Sequence, residues 1–349
     1  MNEAKTLSVT IVTWNSRQYL PNVFASIKLQ SFRDTSVTVV DNASQDGTVA
    51  WLHEAQPSAV VLRNFRNQGF ARGHNQGIAL ALARWSEADW PRRYILIANP
   101  DLEFAPECHE RLVAEMESDV GLTACGPKLL RAHAVGQEEG RMVTIRTNII
   151  DSAGMVISKS RRVTDRGAGE EDRGHVDRDT DVFGLSGACL CVRASAIAEA
   201  KIFGEFFDED FFAYKEDVDL AWRMRRLGMR VRFVPRAVAW HVRTAPSLPS
   251  AGPIGAWRAR AQKPSHINFY STRNHLWTIW KNDDPLTFLR HSAHVVPYEL
   301  AKAFASLFSL AVFKGNLAAA AGLVRMLRKR RELFRRTRAS RAAMRQWFV

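Results

Sequence analysis

Asp101 has a clear chemical setting. It follows the short apolar run Tyr94–Ala98 and the dipeptide Asn99-Pro100. It therefore emerges at a strand end, where a carboxylate can hold a divalent cation against a diphosphate. The same Asn-Pro-Asp tripeptide also serves as a plain turn. Asp41 ends a second apolar run, Val37–Val40. An acceptor at that place reads a base or ribose edge, or closes an Asx turn or helix cap. Glu216, Asp217 and Asp219 open a helix and follow Phe206, Phe207, Phe211, Phe212 and Tyr214. Acids in a first turn complement the helix macrodipole. Aromatic rings just upstream add two further properties: they stack on sugar faces, and they raise a neighbouring carboxylate's pKa by desolvation. Asn64–Gly77 crowds three Asn and three Gly ahead of and into a helix, which suits either an anion or a capped loop. It is not G-x-G-x-x-G, so no dinucleotide fingerprint is read. His241, after Trp240, is either a metal ligand or a structural histidine.

The elements that must position these residues follow from hydrophobic pattern. Leu7–Thr13, Val37–Val40, Ala59–Leu62 and Tyr94–Ala98 read as strands. Between and after them, Pro21–Gln30, Gly47–Ala55, Gly73–Trp85 and Pro106–Glu117 read as helices. This alternation predicts a mostly parallel α/β sheet flanked by helices, with ligands beyond the carboxyl ends of its strands. The polar clusters Thr13-Trp14-Asn15, Asp41-Asn42 and Asn99-Pro100-Asp101 fall there. After residue 127 the alternation stops. Lys159–Asp181 reads as a long mobile loop near the acceptor side, Asp181–Val192 as a strand region, Glu216–Leu227 as a helix and Met229–Val234 as a strand. Ala245–Gly255 reads as a linker, and the chain from Ser265 as helical with breaks at Pro285 and Pro297. The expected organisation is a catalytic domain over 1–260, divided near residue 127 into a nucleotide half and an acceptor half. A helical region over 261–349 follows.

Composition bounds the classes. With 46% hydrophobic and 24% charged residues in 349, the chain is a folded globular protein and not a disordered one. Its four Cys exclude a disulfide scaffold. The net charge is +13, yet residues 325–349 hold ten Arg/Lys against Glu332 alone, so the body is close to neutral. That tail carries Leu323, Leu327, Phe334, Met344, Trp347 and Phe348 among its arginines, the pattern of an interfacial helix on an anionic membrane. Helical residues 286–313 are expected to add apolar contact. The other reading of the tail is a charged helix packed on the body or on a second subunit of a homo-oligomer. No signal peptide pattern and no apolar run of 18 residues is present. The expected location is cytoplasmic, peripheral on the cytoplasmic face of the membrane. A nucleic-acid protein using the tail is the rival from a binding class, but the body has no recognised nucleic-acid motif, so no nucleic-acid partner is expected. A nucleotidyltransferase would favour a Gly- and basic-rich loop after the first strand, where this chain has Trp14-Asn15-Ser16-Arg17-Gln18.

Five ordered blocks change the picture together: VTIVTWNSRQYL at 9–20, VVDNASQDGT at 39–48, NQGFARGHNQGI at 67–78, ILIANPDLEF at 95–104 and FFAYKEDVDLAWRMRRLG at 211–228. The sequence resembles the inverting glycosyltransferases of family 2, with the GT-A fold, in particular their rhamnosyltransferase-like branch. The resemblance covers about residues 7–280. It implies donor contacts from Thr13, Asn15, Asp41, Asn67, Gly69, Asn75, Asn99 and Asp101. It implies a Mg²⁺ or Mn²⁺ ion on Asp101 and His241, Asp217 as general base, and Glu216, Phe212 and Tyr214 on the acceptor side. Asn99 departs from the family's pattern, where many members carry Asp. The implied reaction moves a sugar from a nucleotide-diphosphate sugar to a lipid-linked or polysaccharide acceptor. Rhamnose from a dTDP-sugar is the first expectation, and galactofuranose or another hexose from a UDP-sugar the alternative.

Overall fold

The β-branched runs of the first hundred residues form β1 (Leu7–Thr13), β2 (Thr35–Asp41), β3 (Val60–Arg63) and β4 (Tyr94–Ala98), separated by α1 (Leu20–Lys28), α2 (Thr48–Ala55) and α3 (Gly69–Leu82). Next come β5 (Leu102–Phe104), α4 (Cys108–Ser118), β6 (Leu122–Glu138), β7 (Arg141–Ser152), β8 (Met155–Ile157) and β9 (Val163–Asp165). β10 (Cys189–Arg193), α5 (Ala194–Ala200), α6 (Glu216–Arg226) and β11 (Arg230–Val242) complete the first part. The remainder is helical: α7 (Ser265–Asn282), α8 (Pro285–Arg290), α9 (Ser292–Ala305), α10 (Leu310–Ala321), α11 (Leu323–Arg336) and α12 (Arg341–Arg345). The computed structural model describes residues 5–242 and 263–349. The expected linker at 245–255 lies outside the described residues.

One sheet runs in the order β3-β2-β1-β4-β10-β6-β11-β5, with β7 paired to β6. β3, β2, β1 and β4 are parallel. β10 then enters antiparallel to both β4 and β6, so the rest of the sheet is mixed. Successive residues of β4 face opposite sides: Tyr94, Leu96 and Ala98 pack with α1 and α4, while Ile95 and Ile97 pack with α3 and α5. A strand buried on both faces has no alternation, which is why it appears in the sequence as an unbroken apolar run. The four Cys are free and buried.

Four features add to or depart from the expectations. First, Leu122–Ser152, for which no element is predicted, forms a long antiparallel hairpin, β6–β7, closed at Glu139-Gly140. Second, residues 159–181 are no free loop. Ile150 N donates to Glu170 O, Asp172 N to Asn148 O, and Lys128 pairs with Asp172 and Asp177. Third, Pro297 lies inside α9 and does not end it. Pro285 does mark a boundary, standing in the first turn of α8 under the Asp284 cap.

The fourth concerns the basic tail, several of whose apolar residues face the body while Leu323, Val324 and Leu327 stay exposed. Met326, Leu333, Met344 and Phe348 are buried. The Phe348 ring sits 5.7 Å from that of Trp222, and the Arg225 guanidinium lies 4.0 Å from the Trp347 ring centroid. Lys329 is buried with Asp208, Asp210 and Glu205 around its ammonium. Much of what looks like an interfacial helix is a structural clamp.

Candidate active site

A cavity of about 490 Å³ opens at the carboxyl edge of the parallel strands. Trp14, Asn15, Asn67, Gly69, Asn99 and Asp101 line one side, and Phe212, Tyr214, His266 and Tyr270 the other. Asn15 has φ +51, its amide N donates to Ser44 Oγ at 2.9 Å, and its Oδ1 accepts from Gln45 N at 2.8 Å. The loops after β1 and β2 are thereby locked together. Gly69 has φ +79, and a Cβ there would stand 2.4 Å from Phe212 O. Only glycine lets the two walls approach this closely.

Three of the expected donor contacts lie outside the lining. Thr13 and Asp41 are fully buried partners across β1 and β2. The Asp41 carboxylate accepts from Thr13 Oγ1 at 3.1 Å and Ser44 N at 3.0 Å. They shape the loop that carries Asn15 from one layer behind. Asn75 faces away: its side chain accepts from Phe207 N at 2.9 Å and donates to Phe207 O at 2.8 Å and Glu209. It fastens α3 to the acidic loop.

Asp101 and His241 do meet. β11 pairs antiparallel with β5, bringing His241 opposite Leu102. His241 Nε2 lies 3.4 Å from Asp101 Oδ1, an oxygen that accepts no hydrogen bond among the described residues. Asn99 Nδ2 is 3.4 Å from the same nitrogen. On the far side of the ring, Nδ1 is 2.9 Å from Oδ2 of the fully buried Asp151. Burial opposes a charge on this imidazole, but Asp101 and Asp151 outweigh it and raise its pKa to about 10. Among the described residues no group of three or more His, Cys, Asp or Glu is placed to enclose a metal ion. Mg²⁺ and Mn²⁺ at phosphate sites commonly take few protein ligands, with phosphate and water oxygens completing the shell. A carboxylate oxygen without a hydrogen bond beside an imidazole fits that demand once a bound cation displaces the Nε2 proton that the two acids otherwise favour.

Asp217 stands at the opening of α6. Its Oδ2 accepts from Gly187 N at 3.2 Å and its Oδ1 from Val218 N at 2.8 Å. A Cβ on Gly187 would come 3.2 Å from Asp217 Cβ and 3.3 Å from the ring of Phe70, which itself lines the cavity. Burial holds the Asp217 pKa above its ordinary 3.8, against the pull of the Gly187 amide and Lys215. Burial, then repulsion from Asp217, pushes Glu216 well above 4.5, and its Oε2 has no partner among the described residues. The two acids are therefore unequal: Asp217 has two N–H donors to stabilise its ionised form, and Glu216 has an Oε2 without one. Asp219 points elsewhere, its carboxylate held by Lys281 at 2.8 Å, Asn282 at 2.7 Å and Arg223 at 3.4 Å.

The loop before α6 is strained, with φ between +65 and +69 at Phe212, Tyr214 and Lys215. The C-terminal helices hold it. Asn274 of α7 donates to the carbonyls of Phe211, Ala213 and Tyr214 at 2.7–2.9 Å. Arg273 donates to those of Asp210 and Phe211. Tyr270, also on α7, stacks on Phe212 with centroids 5.0 Å apart and planes at 16°. Sequence reasoning missed Asp151, Tyr270 and Asn274. Asp151 lies in a stretch with no recognised pattern, and Tyr270 and Asn274 lie in a helix that carries no motif.

A wider groove of about 1200 Å³ runs between the β6–β7 hairpin and α1. Of its three acids, Glu103, Glu138 and Glu139, Glu103 is already bound to Arg146 at 2.9 Å and Asn22 at 3.1 Å.

Residues 8–134 match the family described as Glycosyl transferase family 2, and residues 174–327 match Glycosyl transferase family group 2. An N-acetylglucosaminyl-diphospho-decaprenol L-rhamnosyltransferase of Mycobacterium tuberculosis is 29% identical over 241 residues, covering 67% of this chain and 75% of the relative. The low-salt glycan biosynthesis hexosyltransferase Agl10 of Haloferax volcanii is 23% identical over 225 residues, 64% of this chain and 63% of that one. Among solved structures, GalNAc-T7 with UDP, GalNAc and Mn²⁺ superposes with a TM-score of 0.57 at 14% identity, over 80% of this chain and 48% of that one. The fold is GT-A. With its ordered motifs gathered around one cavity, the chain belongs to the family 2 glycosyltransferases.

Proposed function

We propose that this glycosyltransferase moves a hexose, rhamnose as the first candidate, from a nucleotide-diphosphate sugar to a hydroxyl of a lipid-linked acceptor, with inversion. The observation that carries the reading is the division of labour across the cavity. Asp101, in the cavity lining, and His241 beside it stand at the strand edge, and the Asp217 carboxylate accepts from Gly187 N, a residue that sits between Asp217 and Phe70 of the lining. Asp217 takes the proton of the acceptor hydroxyl as the new glycosidic bond forms, and a positioned base contributes about 10²–10⁴ in rate. Retention by double displacement would need a second, nucleophilic carboxylate. Asp219 is held by Lys281, and burial disfavours the ionised form of Glu216, so one displacement is the supported course.

Asp101 and His241 would hold the Mg²⁺ or Mn²⁺ ion, which when bound offsets the charge of the departing diphosphate. Asp151 fixes the orientation of the His241 ring so that Nε2 faces Asp101. Asn15, Asn67, Gly69 and Asn99 form the donor side, with exposed Trp14 a stacking surface for the base. Phe212, Tyr214 and Tyr270 offer aromatic faces to the acceptor sugar. Support for rhamnose and a polyprenyl-diphosphate acceptor comes from the mycobacterial relative's name.

The test is a thermal-shift series with dTDP-rhamnose, UDP-galactofuranose and other UDP-hexoses, each with and without Mn²⁺, followed by transfer to polyprenyl-diphospho-N-acetylglucosamine. A Mn²⁺-dependent shift with dTDP-rhamnose and an inverted product is expected. A larger shift with a UDP-hexose would replace the donor, and retained anomeric configuration would overturn the single displacement.

A further inference from the structure

The large apolar side chains left in solvent are concentrated in one region. Leu289, Leu300, Phe304, Leu307, Phe308 and Leu310 are each 63–71% exposed. Leu300 and Phe304 share a face of α9 at i and i+4, Leu307 and Phe308 follow in the short 3-10 turn Ser306–Phe308, and the ring centroids of Phe304 and Phe308 are 5.3 Å apart. The stripe continues on α10 with Phe313 and Leu317, both exposed. The opposite face of α10 is built for packing: Val312, Gly315 and Ala319 are buried, and a Cβ on Gly315 would reach 2.8 Å from Phe269 O of α7. This pair of helices thus buries its small residues and presents its large ones to solvent, the reverse of a soluble surface.

Charge selects the occupant. Between residues 285 and 331 Glu299 is the sole acid, and it is bound by His275 and Lys302. Arg290, Lys314, Arg328 and Arg331 are exposed around the stripe. A two-fold contact with a second copy would set this basic fringe against itself, whereas an anionic lipid surface complements it. The geometry argues against crossing the bilayer. Among the described residues no single helix is long and apolar enough to span, and α10 with α11 passes by length and composition only as a pair bent by 57°. α11 cannot leave the body, because its Lys329 is buried on Asp208.

We infer that α8–α10 form an in-plane docking face for an anionic membrane, with the exposed leucines and phenylalanines entering the headgroup–acyl boundary. The basic tail contributes fringe charge and not the anchor. The face lies one helix from the site. α10 packs on α7, and α7 carries Tyr270 in the cavity lining and Asn274 on the loop before Asp217. Its purpose rests on the proposed lipid-linked acceptor; its physics does not.

The experiment is co-sedimentation of the full chain with phosphatidylcholine vesicles, with and without phosphatidylglycerol, beside donor turnover on a soluble acceptor analogue. The wild-type chain should bind anionic vesicles at least about tenfold more tightly than neutral ones, since several basic residues each add affinity. Leu307→Asp with Phe308→Asp should abolish most of that binding and leave turnover on the soluble analogue unchanged. Leu289→Asp, on a separate helix, gives the same readout if the double variant misfolds. Undiminished vesicle binding by these variants overturns the inference. So does a wild-type dimer that ignores vesicles and that the same substitutions dissociate. Vesicle binding without sugar transfer to any acceptor strikes the proposed function and leaves the docking face standing.

Discussion

Asp217→Asn separates chemistry from binding. The substitution keeps the side-chain shape and removes the ability to take a proton. Its consequences can be worked from two hydrogen bonds. In the wild type both carboxylate oxygens accept backbone N–H groups, Gly187 N at 3.2 Å and Val218 N at 2.8 Å. An amide has one acceptor oxygen, so one of these donors loses its partner, a cost of about 1–3 kcal/mol. Relief from holding a partly buried charge offsets part of it, and the fold should survive. Turnover should fall by about 10²–10⁴, equivalent to about 3–5 kcal/mol on the barrier. The donor KM should change little, because Asp101 and the Asn15–Asn67 side of the cavity are untouched. The pH profile supplies an independent readout. A base must be ionised to act, and burial raises the Asp217 pKa above 3.8. Activity of the wild type is therefore lost as pH falls through that raised value, whereas the residual activity of the variant lacks this acid limb. Nucleotide release measured across pH, with circular dichroism as the folding control, decides. A variant within tenfold of wild-type kcat, or one that retains the acid limb, refutes the assignment.

Other expectations concern the surroundings. Asp151→Asn should raise the Mn²⁺ concentration needed for half of the nucleotide-dependent thermal shift by about 10–100-fold; an unchanged Mn²⁺ titration removes Asp151 from the positioning of His241. Gly69→Ala places a Cβ 2.4 Å from Phe212 O at φ +79. It should destabilise by at least about 1–3 kcal/mol and weaken donor binding, as urea unfolding and nucleotide titration would show. Lys329→Met leaves Asp208 with Lys281 and Asp210 with Arg325, and takes the ammonium from Glu205. A loss of about 3–5 kcal/mol is expected, and a variant as stable as wild type would return the tail to a surface role.

Legibility in the sequence followed burial. β1 and β4 have the bounds that their runs predicted, because strands buried on both faces are filled mostly by apolar and β-branched residues, with only the small hydroxyls of Ser8, Thr10 and Thr13 admitted in β1. The acids opening α6 were equally plain, since acids after an aromatic run are unusual and a helix start explains only part of them. The β6–β7 hairpin escaped because its outer half is solvated on both faces and carries charges with no alternation. Lys329 was read as surface charge because its partners, Glu205, Asp208 and Asp210, lie more than a hundred residues away, and a charge's burial cannot be inferred from its neighbours in sequence. Thr13, Asp41 and Asn75 were in the right blocks, but the motif does not distinguish a residue that touches ligand from one that holds its neighbour in place. Asp151 gives no local signal. Its meaning appears only when β11 delivers His241 beside it.

The three carbonyls gathered by the amide of Asn274 have a consequence for engineering. Exchanging the helical half between relatives is an obvious way to change which acceptor is used. In this protein such a graft would also import or discard the group that keeps the catalytic turn in its high-energy shape. A chimera that omits an equivalent amide should bind its sugar nucleotide and yet turn over slowly, and the fault would lie in the seam between the two parts, not in the acceptor specificity being exchanged.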